Sequence, residues 1–332
     1  MGGVMGGFIA WGVNSGPAEE RASSVTPGTY FTFCAMMAGG ALFAFFFIIK
    51  PGRVVKEDGS AVVFEKTDTK EGMGELREVA KLFTNKTMLL LTPLIIQSNW
   101  FYAYEFGGIN GLLFDAPTRG LNSALYWAIS GVSSYVMGTY YLDRESLGGR
   151  RHRAVRGLAV ISAINVGQWL YAIIYQFSTG YDKGRGPDPP INFRDGGYAA
   201  PMILFMYCGL ADSLVQTYAY WIIGAISNSP KTLSRYVGYY KGIQSFGACL
   251  AWIIEAEGTS YRAQLMICAF LACLFIPPTY MVAKCVEDKG SDATVTSNGE
   301  KNTSRYEQNM KRMESKMYSM VEQQQSRGAT MS

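Results

Sequence analysis

Seven times along the chain, apolar residues run for about 20 positions or more with few charges among them, at about 28–49, 88–114, 121–142, 154–177, 198–227, 233–255 and 261–284. A helix rises about 1.5 Å per residue, so each run matches the ~30 Å thickness of a bilayer's hydrocarbon core. Lipid offers the backbone no hydrogen-bond partner, so such runs fold as helices. Composition alone is less decisive, because 48% hydrophobic residues would also suit a soluble protein. The distribution decides: charges gather between the runs. The expectation is an all-α, polytopic integral membrane protein with about seven full spans and one partial span. The partial one is Met1 to Val13, apolar and glycine-rich, whose length covers only about 20 Å. It lacks the basic start of a signal peptide, and Gly6 stands where myristoylation requires Ser or Thr.

Lys and Arg are unevenly divided between alternate loops. One set holds Lys50, Arg53, Lys56, Lys66, Lys70, Arg77, Lys81 and Lys86, then Arg144, Arg150, Arg151, Arg153 and Arg156, then Lys231 and Arg235. The other holds Arg21, Arg119, Lys183, Arg185, Arg194 and Arg262. By the positive-inside rule the first set, with the C-terminal tail, is cytoplasmic. The net charge of +4 therefore reflects topology, and no nucleic-acid partner follows from it.

Within the first cytoplasmic loop, Val54, Val55 and Ala61 to Phe64 flank Asp58-Gly59, the pattern of a small hairpin. Met73, Leu76, Val79, Ala80 and Phe83 then recur at helical spacing between polar residues, predicting an amphipathic helix along the membrane face or packed on neighbouring helix ends. Cys34, Cys208, Cys249, Cys268 and Cys273 fall inside spans and read as small packing residues, while Cys285 sits at the membrane edge, where a thiol can be acylated. With one histidine, His152, and no phosphate-binding or zinc motif, the sequence carries no enzyme signature, cofactor site or metal site.

A charge inside a span costs several kcal/mol unless it finds a partner or water. Three such residues stand out: Glu105, Asp212 and Lys241. Asp212 lies ~21 Å below the outer end of its span and Lys241 ~12 Å above the inner end of the next, which lets them meet near mid-membrane. Glu105 lies higher, among Asn99, Trp100, Tyr102, Tyr104 and Asn110, with Pro93 and Gly107-Gly108 as flexible points. Two readings stay open: a water-accessible cavity lined by bent helices, or a structural ion pair with Glu105 reaching the interface.

The run Pro93 to Asn110, with Phe114, Thr118-Arg119, Leu121-Asn122, Tyr126-Trp127, Leu142-Asp143, Arg150-Arg151 and Arg153-Ala154, resembles fungal membrane proteins related to the ion-channel regulatory protein Unc-ninety-three, a branch of the major facilitator superfamily. Gly2 to Asn14 resembles that family's fifth helix. The resemblance implies a facilitator-type helical bundle divided as follows: 1–50, a remnant of the first half with the partial span 1–13 and the span 28–49; 51–87, a cytoplasmic loop with the amphipathic helix; 88–285, a six-span second half; and 286–332, a largely disordered cytoplasmic tail. On this reading the chain is N-terminally truncated. Gly138 to Arg151 is similar to the loop between the second and third helices of each facilitator half. There Asp143 can accept hydrogen bonds from the next helix's N-terminus or from Arg144, Arg150 and Arg151, latching the cytoplasmic face. The other reading is a basic anchor obeying the positive-inside rule. In the tail, Tyr306, Met310, Met313, Met317 and Met320 form a short heptad stripe, suited to a brief coiled coil or to a transient solvated helix.

Two functions follow as expectations. One is a solute transporter using Glu105, Asp212 and Lys241. The other is an accessory protein that regulates or traffics other membrane proteins; an inactive truncated product is the third outcome. The expected partners are the lipid bilayer and either other membrane proteins or a complementary helical half.

Overall fold

The computed structural model describes residues 2–14, 27–48, 72–227 and 229–288, together with 312, 313 and 315. The described residues are helical, joined by turns and two isolated β-bridges, with no strand. The elements are α1 (Gly2–Asn14), α2 (Pro27–Phe47), α3 (Gly72–Lys81), α4 (Lys86–Trp100), α5 (Ala116–Tyr135), α6 (Arg150–Thr179), α7 (Ala199–Ile226), α8 (Pro230–Ala256), α9 (Tyr261–Leu274) and α10 (Ile276–Cys285). Each predicted run coincides with one helix or with consecutive helical segments. α4 continues into a π-helix over Ala103–Gly111, α5 into another over Val136–Leu142, and Phe275, followed by Pro277-Pro278, separates α9 from α10.

Four segments are long and apolar enough to cross a membrane: Pro27–Phe47, Arg150–Thr179, Ala199–Ile226 and Tyr261–Cys285. A fifth joins them if Gly74–Thr84 and Lys86–Gly111, bent by 79° at their junction, count as one. The seven expected spans differ from this number for a physical reason. α5 buries Asn122, Ser130 and Ser133, and α8 carries Lys231, Arg235, Lys241 and Glu255 besides the buried Gln244, so polar and charged groups lower the hydropathy of both helices. The 79° bend also sets α3 across the axis of α4, the placement expected of a helix lying along a membrane face. Asn85 stops one helix and starts the next, its Oδ1 accepting the Met88 N–H.

Two apolar clusters divide the core along the bundle. One gathers Met88, Leu91, Leu94, Leu142, Leu158, Tyr218, Ile222 and Val282. The other gathers Phe101, Phe114, Trp169, Phe205, Tyr261 and Leu265. Between them runs a polar belt: Ser98 on α4, Asn165 and Gln168 on α6, Asp212 on α7 and Gln244 on α8, all buried.

Turns sort to two ends. At one end Arg235 makes two hydrogen bonds to Glu75, of 2.8 and 2.9 Å, and Lys231 adds an ion pair at 3.1 Å, clamping α3 onto the start of α8. These contacts hold the Glu75 carboxyl down at about 2, the Arg235 hydrogen bond being the larger cause and Lys231 the next. The same end carries Arg151, whose N–H donates to Asp288 at 3.1 Å. At the opposite end Asn192 donates to Asp115 at 2.7 Å, and Lys183 pairs with Glu255 at 3.1 Å. α1 packs on α5 through glycines: a Cβ at Gly7 would overlap the Ala124 backbone, and one at Gly120 the Trp11 backbone. Gly3 likewise stands where a Cβ would overlap the Trp127 ring, whereas Gly2 has nothing near it, so Gly3 and Gly7, four residues apart, carry the close approach.

The hairpin expected over Val54 to Phe64 lies outside the described residues. Of the tail's heptad stripe, Met313 is described, and it packs against the first cluster. Cys34, Cys249 and Cys273 are exposed on the bundle surface, contrary to a packing role, while Cys208 and Cys268 are buried. Cys285 is also buried, so in this arrangement its thiol is closed to acylation.

Candidate functional site

Glu105 and Asp212 meet, through tyrosine. α4 lacks a backbone donor at Pro93 and widens into the π-helix after Tyr102, and that widening places Glu105 on the bundle-facing side, 1% exposed. Its Oε1 accepts from Gln168 Nε2 of α6 at 2.8 Å, and its Oε2 lies 3.0 Å from the Tyr126 hydroxyl of α5. Asp212 on α7 is 3% exposed. Its Oδ2 lies 3.1 Å from the same Tyr126 hydroxyl and accepts from Tyr102 at 2.7 Å, while Oδ1 accepts from Gln216, one turn on, at 2.6 Å. Four chain segments therefore converge on two carboxylates, and every bond they receive comes from a neutral donor.

Lys241 is not their partner. Its Nζ donates to Gln244 at 2.8 Å and stands 5.4 Å from the ring centres of both Tyr220 and Tyr240. Depth along the membrane was a fair reading of the sequence, but rotation about α8 turns the lysine stem to an exposed face. Gln244 relays inward instead, donating to Ser98 at 3.1 Å and to Tyr240 at 2.9 Å. The Asp212–Lys241 ion pair is thus replaced by two separate polar chains.

Three other expected residues take different places. Tyr104 is fully buried and bonds Gln176 at 3.0 Å and Tyr181 at 2.9 Å, outside the carboxylate group. Asn110 donates to Ser123 and to the Arg119 carbonyl and accepts from Asn122, tying the π-helix to α5. Asn99 is half-buried on α4 and joins neither network. Residues the sequence did not single out complete the site: Tyr126, Gln168 and Gln216, with Tyr102 as a direct ligand of Asp212. Gln216 carried a signal, since a residue four after Asp212 on one helix shares its face. Gln168 was one of three amides, with Asn165 and Gln176, in an otherwise apolar run, and nothing in the sequence set it apart from them.

The loop expected to act as a latch is built differently from its reading. Asp143 accepts from the Trp221 indole of α7 at 3.0 Å, and Arg144 bonds Ser146 at 2.9 Å. Asp288, beyond α10, takes the first-turn position at the N-terminus of α6 by accepting from the Arg151 N–H. Arg151 also donates its side chain to the Lys284 carbonyl. The carboxylate at that helix start is Asp288 and not the expected Asp143; it comes from the chain's distal end, which no local spacing could reveal. Arg150, the first residue of α6, belongs to the same corner.

The chain is 36% identical over 272 residues to UNC93-like protein 1 of Arabidopsis thaliana, an alignment covering 80% of this chain and 57% of that one. It is 32% identical over 260 residues to an UNC93-like protein of Schizosaccharomyces pombe, covering 77% of this chain and 50% of that one. The chain belongs to the UNC93-like family. It is also 26% identical over 286 residues to the notoamide biosynthesis cluster protein O' of Aspergillus versicolor. The chain spans only about half the length of these UNC93-like relatives. No protein-family profile matches it, and no solved structure does.

Proposed function

We propose that this UNC93-like membrane protein is a transporter of the major facilitator type, crossing the bilayer seven times with its basic end in the cytoplasm, and that Glu105 and Asp212 form its solute site. One observation carries the reading: two almost fully buried carboxylates on α7 and the π-helix after α4, held by neutral donors with no cation in the group. Such burial is costly in a structural strut, because an uncompensated charge in low dielectric destabilises the fold. π-helical widening supports the reading, since it is enriched at functional sites. On this proposal the chain carries out no covalent chemistry and needs no cofactor or nucleic acid. Alternating access requires two halves rocking about a central site, so a complementary set of helices, from this protein or another, is a required partner besides the bilayer.

The test is time-dependent accumulation of labelled small solutes in vesicles reconstituted with the protein. Asp212→Asn should abolish it while leaving the protein folded. Full uptake by a folded Asp212→Asn variant would refute the site.

A second reading, an accessory protein for other membrane proteins, draws on α2. Tyr30, Phe31, Phe43, Phe45, Phe46 and Phe47 are all exposed along it. A defined stoichiometric complex with one membrane protein, broken by polar substitutions at Phe31 and Phe45 and indifferent to Asp212→Asn, would favour this reading over transport.

A further inference from the structure

The Tyr126 hydroxyl has one hydrogen and two carboxylate neighbours, Glu105 Oε2 at 3.0 Å and Asp212 Oδ2 at 3.1 Å. A phenol donates one hydrogen bond. If both carboxylates were ionised, one of these two contacts would set oxygen lone pairs against each other with no hydrogen between them. A single added proton resolves the geometry. Placed on Glu105, it lets Oε2–H donate to Tyr126, and Tyr126 donates to Asp212. Placed on Asp212, it runs the chain the other way. We infer that Glu105, Tyr126 and Asp212 bind one exchangeable proton and relay it between the two carboxylates, making the proton the ion this site takes. The inference rests on reading the two carboxylates as a functional site.

The transfer balances. As the Glu105 O–H bond breaks, a new O–H bond forms at the tyrosine oxygen; the tyrosine's original hydrogen leaves for Asp212 Oδ2. One proton is bound before and after, and the group's net charge stays at one negative. Tyr102 extends the chain, donating to Asp212 at 2.7 Å and accepting from Gln216 at 3.1 Å. It is only partly buried, the least enclosed phenol of the group.

A metal cation fits the same atoms poorly. Hard cations gather several oxygen ligands, and here each of the four carboxylate oxygens already has a hydrogen-bond partner in Gln168, Tyr126, Gln216 or Tyr102. Among the described residues no group of three or more His, Cys, Asp or Glu is placed to hold a metal. The remaining titratable neighbours come from each packed helix: Cys208 on α7 and Cys268 on α9 beside Glu105, and Tyr240 on α8 within electrostatic reach of Asp212. Lys241 on α8, engaged by Gln244, forms no ion pair with either carboxylate. Among the described residues no neighbour replaces the proton as counter-charge.

The test is infrared difference spectroscopy of the purified full chain in lipid nanodiscs, titrated from acid to alkaline pH in H2O and D2O. The expected result is a deuterium-sensitive band of a protonated carboxyl at neutral pH. Glu105→Gln or Asp212→Asn should remove or displace it, and Tyr126→Phe should shift its titration midpoint by about one pH unit or more, since the link between the carboxyls is cut. Where one carboxyl variant fails to accumulate, the other reads the opposite end of the relay. Absence of the band at neutral pH, or a band unchanged in all three variants, overturns the inference. Failures of the two readings are separable. A band that responds to Tyr126→Phe without uptake of any solute supports the relay and removes the transport reading, whereas sodium-driven uptake with no band removes the relay and leaves transport standing.

Discussion

Lys241 shows what a single residue's sequence position does and does not encode. Its depth follows from counting residues along a helix, but its direction depends on rotation, which packing of α8 against α4 decides. Because Lys241 bonds Gln244 and stays exposed, it and Asp212 should behave as independent sites. Lys241→Met should cost within about 0.5 kcal/mol, as a surface change does. Asp212→Asn should cost about 1–3 kcal/mol, because an amide nitrogen would face the donors Tyr102, Tyr126 or Gln216 and leave one unsatisfied. The double mutant should equal the sum within about 0.5 kcal/mol. Thermal unfolding of the three purified variants checks this; recovery of stability in the double mutant would restore the ion pair. Glu105 and Asp212 were legible because an acid in an apolar run has no ordinary reason to be there. Tyr126 was not, since a tyrosine in a span looks the same whether it lines lipid or bridges two acids.

At the scale of elements, helix positions were legible to within about five residues, because apolar run length and capping residues speak locally. Asn85, Asp115, Ser229 and Ser260 each accept a backbone N–H at the start of their helices. The widening of α4 and α5 into π-helices was not legible, since it answers to what packs beside them. Glycine packing gives one prediction. Gly7→Leu would force a side chain into the Ala124 backbone and should destabilise the α1–α5 contact by about 1–3 kcal/mol, with Gly12→Leu, in open space, as the neutral control. Denaturant unfolding of the two variants compares them; equal stability would show that α1 does not dock as described. The α3–α8 clamp gives another. Glu75 titrates lower in the folded chain than its ordinary 4.5, so its contribution is fully present above that value and is lost as pH falls towards about 2. The sign is that of a carboxylate stabilised in its charged form. Protease cleavage between residues 72 and 84 should therefore stay slow at neutral pH in the wild type and quicken in Glu75→Gln. Equal rates would mean that the clamp does not hold α3.

At the scale of the whole molecule, two ends are defined by contacts, and the excess of Lys and Arg gathers at one of them. The structure joins into one end what the sequence separated widely: Glu75 with Arg235, and Arg151 with Asp288, across 160 and 137 positions. These pairings were illegible in the sequence because nothing local links them, yet they agree with the loops that share an excess of Lys and Arg. If that end is cytoplasmic, both glycosylation patterns in the chain stay bare. Asn85-Lys86-Thr87 lies at the α3–α4 bend, and Asn302-Thr303-Ser304 falls in the tail, outside the described residues. Asn85 is further withheld by its cap on Met88. Asn302 is therefore the sharper reporter, since it belongs to a segment that the positive-inside rule alone assigns. The expectation is an electrophoretic mobility unaffected by endoglycosidase in both the wild type and Asn302→Gln. A mass shift that the enzyme removes, and that Asn302→Gln abolishes, would place the tail on the lumenal face. Because the contacts of Arg151 with Lys284 and Asp288 tie the 142–151 loop to the start of that tail, the whole basic end would then have to be reassigned with it.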